Sequence, residues 1–299
     1  MNTQLARVGM LVTDFDETVT LEDTTCEIAK LAYNKRARKN ICPMTIVEKQ
    51  LQQIQTSNDY PYPCPPLWSY FVNLYLKERA DFIFKWRQNN PHYTLSDFYS
   101  LLSSLSLVEN NSLDRVESYH CLTGICASEL YSCGKCIPKR PGVVECIRSF
   151  VQKDNRSVYV LSTNWSTDLI LGALSDVGVE KGIIMSNDLD FDLEGEYATG
   201  KITRKVVTGT DKLKLFKKLD ISKGMLTVYV GDSDTDLPCL LAADVGIVMG
   251  NNYSLKKNCE RLGIELVNGL SRVTAATNDK RELYRVKDWF EIKESGLLR

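Results

Sequence analysis

The stretch VGMLVTDFDET (Val8–Thr18) joins an apolar, β-branched run to a short acidic one, and LTVYVGDSDTD (Leu226–Asp236) repeats this transition late in the chain. Each apolar run predicts a buried strand, because strands covered on both faces are continuously apolar. Each acidic run then lies in the turn that leaves the carboxyl end of its strand. Ligands bind at that edge of a parallel α/β sheet, so the two stretches predict a functional site there.

The carboxylates of Asp14, Asp16, Asp232 and Asp236 would repel one another at that edge, and they could not all stay ionised without a cation. Mg²⁺ is the expected ion, because it prefers oxygen ligands and binds phosphate groups together with one or two carboxylates. The order Asp232-x-Asp234-x-Asp236 superficially resembles a calcium loop, but the glycine and glutamate that such a loop needs are absent. The two acidic runs therefore indicate an enzyme that uses Mg²⁺.

Composition restricts the class of protein and its partners. At 299 residues, of which 43% are apolar, the chain can bury a full core. The net charge is −1 and no basic block stands out, so neither nucleic acid nor an anionic membrane surface is indicated as a partner. No apolar run approaches the roughly 20 residues of a membrane-spanning helix. Residues 1–10 lack the apolar part of a signal peptide, which favours a cytoplasmic enzyme acting on a small molecule.

The chain has ten cysteines, a high number for a cytoplasmic protein. Cys121, Cys126, Cys133 and Cys136 lie close together in sequence, and the last two form a Cys-x-x-Cys pair. A zinc site or a redox pair is one interpretation, but a single Cys-x-x-Cys with irregular neighbours is a weak signal. Reduced structural thiols are the favoured interpretation.

A long block with helical patterns separates the first strand from the remaining α/β units. We predict that residues 21–131 form a helical cap subdomain, inserted into a core domain of residues 1–20 and 132–299. Breaks are expected at residues 59–66 and 109–112. The core is predicted to be α/β, with a doubly wound parallel sheet. Its expected segments are strands at 157–161, 182–185, 226–230 and 245–248, a short segment at 265–267, a hairpin at 189–197, and helices at 165–177, 211–219, 237–243 and 280–290. The expected cap helices are 24–34, 45–55, 67–87, 94–107 and 113–119.

Asp14 and Asp16 are two residues apart, so strand alternation aims them at one face. An aspartate beside Mg²⁺ can attack phosphorus and form an aspartyl-phosphate. A second carboxyl group can protonate the leaving alkoxide and then deprotonate the water that hydrolyses the intermediate. A simple polar turn would explain the first motif equally well by itself. The second acidic run favours the catalytic interpretation.

Two further segments supply candidate phosphate ligands. Ser162, Thr163 and Asn164 follow a predicted strand and precede a predicted helix, where hydroxyl and backbone N–H groups can bind phosphate. The same residue types are ordinary helix N-caps, and capping is the favoured interpretation for this tripeptide considered alone. Lys212 begins a helix, where the dipole mildly disfavours a cation, so this lysine is better explained as a balance for carboxylates and phosphate.

These four pieces, in this order, resemble the haloacid-dehalogenase (HAD) phosphatase superfamily over roughly residues 8–20 and 140–250. The resemblance implies an HAD-like Rossmannoid core with a helical cap after the first motif. Mg²⁺ would be held by Asp14, the main-chain carbonyl of Asp16, and Asp232. The implied roles are nucleophile for Asp14, general acid/base for Asp16, motif support for Thr18, phosphate binding for Ser162, charge balance for Lys212, and metal-shell acids for Asp232 and Asp236.

Within the superfamily, DTTCEIA (Asp23–Ala29) and the predicted hairpin resemble the phosphoserine-phosphatase-like branch. That branch commonly has glutamate at the position of Asp23, and Gly-Gly where this chain has Thr163 and Asn164. The resemblance places all three residues near the substrate. STNWSTDLI (Ser162–Ile170) is similar to the HAD phosphatase domain fused to thiaminase-type proteins in plants, which dephosphorylates thiamine monophosphate.

The resemblance therefore implies a Mg²⁺-dependent phosphomonoesterase that forms an aspartyl-phosphate. The implied substrate is a small phosphate ester, either thiamine monophosphate or a related heteroaromatic phosphate. Phosphoserine phosphatase activity, pyrimidine 5′-nucleotidase activity and a non-catalytic HAD-fold binding protein are the alternatives.

Overall fold

A seven-stranded, entirely parallel sheet forms the centre of the computed structural model, which describes residues 7–38, 65–153, 155–220, 225–273 and 282–299. Its strand order is β3-β2-β1-β6-β7-β9-β8, and β4 pairs with β5 in a separate antiparallel hairpin. The strands are β1 (Val8–Thr13), β2 (Ser157–Leu161), β3 (Ile184–Met185), β4 (Asp188–Phe191), β5 (Ala198–Thr203), β6 (Leu226–Gly231), β7 (Val245–Met249), β8 (Glu265–Asn268) and β9 (Glu282–Val286).

Helices cover both faces of this sheet, and no strand lies between β1 and β2 in the described part of the chain. The predicted fold class, a doubly wound parallel sheet with a helical insertion, is confirmed. The helices are α1 (Thr25–Arg38), α2 (Trp68–Asn89), α3 (Leu95–Ser104), α4 (Ser106–Ser118), α5 (Ala127–Cys136), α6 (Val143–Val151), α7 (Thr167–Ala173), α8 (Gly209–Phe216), α9 (Leu237–Ala242), α10 (Tyr253–Leu262) and α11 (Trp289–Ser295).

The central strand β1 is fully buried on both faces, as its continuous apolar sequence predicts. Leu11 points into one hydrophobic cluster together with side chains of α6, α7 and α11. Met10 and Val12 point into the other cluster, with side chains of α8, α9 and α10. This double burial fixes where β1 ends and therefore where the acidic turn after it begins.

The inserted helices share both clusters with the sheet. Phe98 and Leu101 of α3 belong to the cluster that contains Phe216 of α8 and Leu237 of α9. Helix α5 extends across the predicted boundary between residues 131 and 132 and packs closely on α7. The division into a core and a cap at residues 20/21 and 131/132 stays a prediction.

Two expectations from the sequence are wrong, and one helix was not predicted. Helix α4 continues through the predicted break at residues 109–112. Within the predicted helix over 280–290, residues 282–286 form β9, whose backbone pairs with β7 and β8, and α11 begins only after the cap residue Asp288. Asp288 accepts hydrogen bonds from the backbone N–H groups of Phe290 and Glu291, a start signal that the sequence analysis missed. Helix α10 was not predicted, although Asn252 and Gly263 cap its two ends.

The remaining expectations concern the hairpin, one cap helix and loop, the cysteines and membrane-spanning helices. The hairpin is confirmed, and Gly195 in its turn has a φ of 73°, in the region that favours glycine. The helix predicted over 45–55, and all of the predicted 59–66 loop except its last two residues, lie outside the described residues. The eight cysteines in the described ranges are free thiols. No helix in those ranges is long and apolar enough to cross a membrane.

The contact between α5 and α7 depends on two glycines. A Cβ atom at Gly172 would lie 2.0 Å from the carbonyl oxygen of Tyr131, and one at Gly134 would lie 2.1 Å from that of Leu169. We expect Gly172→Ala to lower the free energy of unfolding in urea by about 1–3 kcal/mol, because the helices must separate. Gly182→Ala is the matched control, since nothing lies within 4 Å of its Cβ position. Equal stability of the two variants would contradict the role of this contact.

Candidate active site

Asp14, Asp232 and Asp236 meet at the carboxyl edge of the central strands. Asp14 follows β1, Asp232 follows the neighbouring β6, and Asp236 precedes α9. All three are buried, and each offers a carboxylate oxygen within 4.8 Å of the others. It is the one such group of potential metal-ligating side chains found among the described residues, and it contains no cysteine.

Lys212 lies between two of these acids. Its side chain is 1% exposed, and its Nζ donates to Asp14 Oδ1 at 2.7 Å and to Asp236 Oδ1 at 2.8 Å. The first turn of α8 reaches this position because Gly209 lies against the backbone of Thr235, where a Cβ atom would be 2.5 Å from the carbonyl oxygen. Burial by itself would lower the pKa of Lys212, but Asp14 and Asp236 raise it above its ordinary value. The lysine is therefore a permanent cation in this site.

Asp236 is held by the protein on both oxygens. Oδ1 accepts from Lys212 and from the hydroxyl of Tyr229 at 2.8 Å, and Oδ2 accepts from the backbone N–H and hydroxyl groups of Ser233. Tyr229 is fully buried on β6 and was missed by the sequence analysis, because its contact depends on the turn that brings Asp236 back over the strand. Asp236 thus positions Lys212 and its own loop.

Asp14 and Asp232 accept fewer hydrogen bonds than Asp236 does. Lys212 contacts Oδ1 of Asp14, while Oδ2 accepts no hydrogen bond from the described residues. Asp232 accepts on Oδ1 from the hydroxyl of Thr18 at 3.2 Å. Burial, and then the charge of Asp236, raise the pKa values of both Asp14 and Asp232, although Lys212 opposes this. These two carboxyl groups have oxygens available to an ion.

The donor set fits a divalent cation. Three carboxylates and one ammonium group leave two negative charges in a buried space. Burial, and then repulsion among the carboxylates, raises the pKa values of Asp14 and Asp232, and an ion of charge +2 would offset that repulsion. Hard oxygen ligands without cysteine or histidine favour Mg²⁺ or a similar ion over zinc.

Asp16 points away from this cluster. Its Oδ1 accepts from the backbone N–H and the hydroxyl of Thr24 at 2.8 and 2.6 Å, and its Oδ2 accepts from Nδ2 of Asn164 at 2.9 Å. Burial, followed by the charge of Asp23, raises the pKa of Asp16 to about 6. The side chain of Asp16 is absent from the group of metal-ligating side chains. Of the four predicted metal residues, the structure brings together the side chains of three.

The Ser162–Asn164 segment does not cap α7, so the capping interpretation is wrong. Ser166 caps this helix, and its hydroxyl accepts from the backbone N–H of Leu169. Ser162 is 1% exposed, and its Oγ accepts from the N–H of Asn164 at 3.0 Å. The amide of Asn164 contacts Asp16 and Thr24, so its geometry suits positioning of Asp16.

Asn187 joins two loops of the site and was also missed. Its Nδ2 donates to the carbonyl oxygens of Thr163 and Val206, and its Oδ1 accepts from the N–H groups of Lys205 and Val206. The Ser162–Asn164 segment is therefore tied to the chain that leads into α8 and Lys212. No motif signals this role, because a buried asparagine between two loops has no characteristic spacing.

Two remote elements also hold the acidic turns. The indole Nε1 of Trp289, in α11, donates to the carbonyl oxygen of Thr18 at 2.9 Å. In the other turn, Asp234 accepts from the hydroxyl of Ser254 and from Nδ2 of Asn258. Asn258 in turn accepts from the hydroxyl of Tyr93 at 2.6 Å, just before α3. The inserted helices are thereby connected to the acidic loop by two hydrogen bonds in series.

A cavity of about 450 Å³ borders the Ser162–Asn164 segment and the start of α1. Asp23 and Thr163 line it, and each is adjacent in sequence to a residue of the site, Thr24 and Ser162. The opposite lining comes from α2 and α4 of the inserted block. Asp23 itself is exposed, and its Oδ1 accepts from the N–H of Thr25.

No family model matches the chain. A CTO1 family protein of Schizosaccharomyces pombe is 26% identical over 307 residues, a match that covers 96% of this chain and 99% of that protein. The bifunctional TH2 protein of Arabidopsis thaliana, named as mitochondrial, is 29% identical over 218 residues. That match covers 66% of this chain and 35% of the plant protein, so the matched part spans about a third of the length of TH2.

A solved structure of substrate-bound phosphoserine phosphatase superposes with a TM-score of 0.53, covering 97% of this chain and 98% of that one at 16% identity. The chain has the phosphoserine phosphatase fold. The fold that the motif resemblance implies is therefore confirmed. At this identity the likeness concerns the fold, and the activity has to be argued from the residues of the site.

The raised pKa values predict that this acidic site exchanges protons for a metal ion. Asp14 and Asp232 retain protons to a higher pH than ordinary carboxyl groups, so an ion that binds their ionised forms must displace protons. We expect Mg²⁺ to bind more tightly as the pH rises from 6 to 9, with release of about one proton near neutrality. Calorimetric titration in two buffers of different ionisation enthalpy measures that proton. Equal heats in both buffers would contradict the shifts.

Proposed function

We propose that this chain is a Mg²⁺-dependent phosphomonoesterase that hydrolyses a small phosphate ester through an aspartyl-phosphate on Asp14. The observation that carries the proposal is the pairing of Asp14 with Lys212 beside Asp232 in one buried cluster. A nucleophilic carboxylate, a fixed cation and acids able to hold a metal ion are the groups that phosphoryl transfer requires.

Asp14 is suited to act as the nucleophile. Lys212 fixes one carboxylate oxygen, which leaves Oδ2 to attack phosphorus while the bond between phosphorus and the leaving oxygen breaks. The hydroxyl of Ser162 and nearby backbone N–H groups, at the end of the neighbouring strand β2, would bind the phosphate oxygens. Asp14, Asp232 and the main-chain carbonyl of Asp16 would hold Mg²⁺, which would supply positive charge for the phosphate oxygens.

Asp16 is suited to move the proton. A pKa of about 6 lets this carboxyl group donate a proton to the leaving oxygen and accept one from the hydrolytic water near neutral pH. Thr24 and Asn164 hold both of its oxygens and so fix its orientation. Attack of that water on phosphorus then releases inorganic phosphate and restores Asp14.

Thiamine monophosphate or a related heteroaromatic ester is the proposed substrate. Support comes from the resemblance of the segment after β2 to the plant HAD domain, and from Trp165, which lines the cavity. Phosphoserine is less favoured, because its carboxylate needs a cation and no lysine, arginine or histidine lines the described part of the cavity. A small, flat leaving group matches the aromatic walls better.

The test is phosphate release from thiamine monophosphate, phosphoserine, a pyrimidine mononucleotide and p-nitrophenyl phosphate, with and without Mg²⁺. We expect Mg²⁺-dependent turnover that Asp14→Asn lowers by at least about 10³-fold, because the amide cannot act as the nucleophile. Asp192→Asn, in the turn of the β4–β5 hairpin, is the matched control and keeps the wild-type rate. Wild-type rates in Asp14→Asn would refute the nucleophile assignment.

Rapid quenching followed by mass spectrometry tests the intermediate separately. Wild-type protein should carry one phosphoryl group on the peptide that contains Asp14, and Asp14→Asn protein should carry none. Folded protein that neither binds Mg²⁺ nor releases phosphate from any ester would favour the non-catalytic binding protein instead.

A further inference from the structure

We propose that the cavity next to the Ser162–Asn164 segment selects leaving groups that carry a positive charge on a flat, aromatic frame, with Glu109 as the residue that recognises this charge. The inference rests on the proposed function, because it assigns the leaving-group site of the same reaction. It concerns residues of α2 and α4, none of which the motifs or the predicted chemistry of the site involve.

The walls of the cavity suit a flat ring. Trp68, Phe71 and Tyr75 of α2 line one part of it, and Trp165 lines the part next to Thr163. The rings of Trp68 and Trp165 lie edge to face with their centroids 6.0 Å apart. The volume of about 450 Å³ is large enough for a substituted ring beside the phosphate.

The charged side chains found in the described lining of the cavity are both acidic. Asp23 and Glu109 are its charged side chains, and no lysine, arginine or histidine is found among its described residues. Aromatic faces attract cations and add nothing for anions, so the walls reinforce the preference of the carboxylates. A neutral or cationic leaving group is therefore accommodated, and an anionic one would be repelled.

Glu109 is the better placed of the two acids to act as a counter-charge. Its side chain is 22% exposed, and its Oε1 accepts from the hydroxyl of Tyr75 at 2.9 Å. The same oxygen lies 3.8 Å from Nε of Arg79, a long contact, and Arg79 does not line the cavity. Oε2 accepts no hydrogen bond from the described residues. Burial raises the pKa of Glu109, which an incoming cation would reverse.

Two esters of nearly equal shape test the charge preference. Pyridinium-ethyl phosphate and phenethyl phosphate differ in one ring atom and in one positive charge. We expect the wild-type protein to favour the pyridinium ester by about tenfold or more in kcat/KM. Glu109→Gln keeps an acceptor for Tyr75 but removes the charge. Its kcat/KM should therefore fall mainly for the pyridinium ester, and the ratio of kcat/KM for the two esters should approach one.

Three further measurements separate recognition from a merely structural role. Asp114→Asn removes an acidic side chain from the same helix and should leave the preference unchanged, because Asp114 contacts Arg204 outside the cavity. Tyr75→Phe removes the hydrogen bond but keeps the Glu109 charge, so the preference should persist. If Glu109→Gln slows both esters equally, or if wild-type protein shows no preference, the proposal is overturned.

Binding to the inactive Asp14→Asn protein makes the result independent of turnover. Calorimetric titration with both esters should show tighter binding of the pyridinium ester, and the difference should disappear in the Asp14→Asn, Glu109→Gln double variant. Equal affinities for the two esters would overturn the leaving-group assignment. Absence of phosphate release by wild-type protein from every ester of both panels would instead overturn the proposed function.

Discussion

The contact of Lys212 with Asp14 and Asp236 is the interaction on which the rest of the site depends. Three buried carboxylates within 4.8 Å of one another repel, which disfavours ionisation of all three together. One buried ammonium group balances part of their charge. The surrounding architecture places this ion group: two central strands end beneath it, and Gly209 allows α8 to approach the acidic loop. The negative charge that remains is the physical reason to expect a divalent cation at this site.

The inserted helices are part of this arrangement and also provide the binding cavity. Helix α3 packs into the same hydrophobic cluster as α8 and α9, the two helices that carry or follow site residues. The hydrogen bonds from Tyr93 to Asn258 and from Asn258 to Asp234 connect the chain before α3 with the acidic loop. A helical block anchored in this way presents α2 and α4 to the cavity in a defined position. The C-terminal helix adds a similar support through Trp289 and the turn after Asp14.

In the proposed reaction, catalysis and recognition use separate groups of residues. The acidic cluster lies at the strand ends and would supply the groups for phosphoryl transfer, whereas the cavity is lined by aromatic side chains of the insertion. The same fold in phosphoserine phosphatase is described with a bound substrate, but the fold does not determine which ester enters. Here the sign of the lining charges, from Asp23 and Glu109, provides the information about the leaving group.

The sequence by itself determined the central strands, the acidic turns and the fold class, because continuous apolar runs followed by acidic turns are local patterns with one common structural interpretation. It correctly indicated β1, β6 and the hairpin. It failed at residues 280–290, where pairing with β7 and β8 outweighs local helical character, and at α4, where tertiary packing overrides a polar break. Only the tertiary structure decided the partners of each side chain. Asn187, Asn258 and Glu109 contact residues distant in the chain, and the contact of Tyr229 with Asp236 depends on the turn between them, so no spacing in a single sequence encodes these contacts.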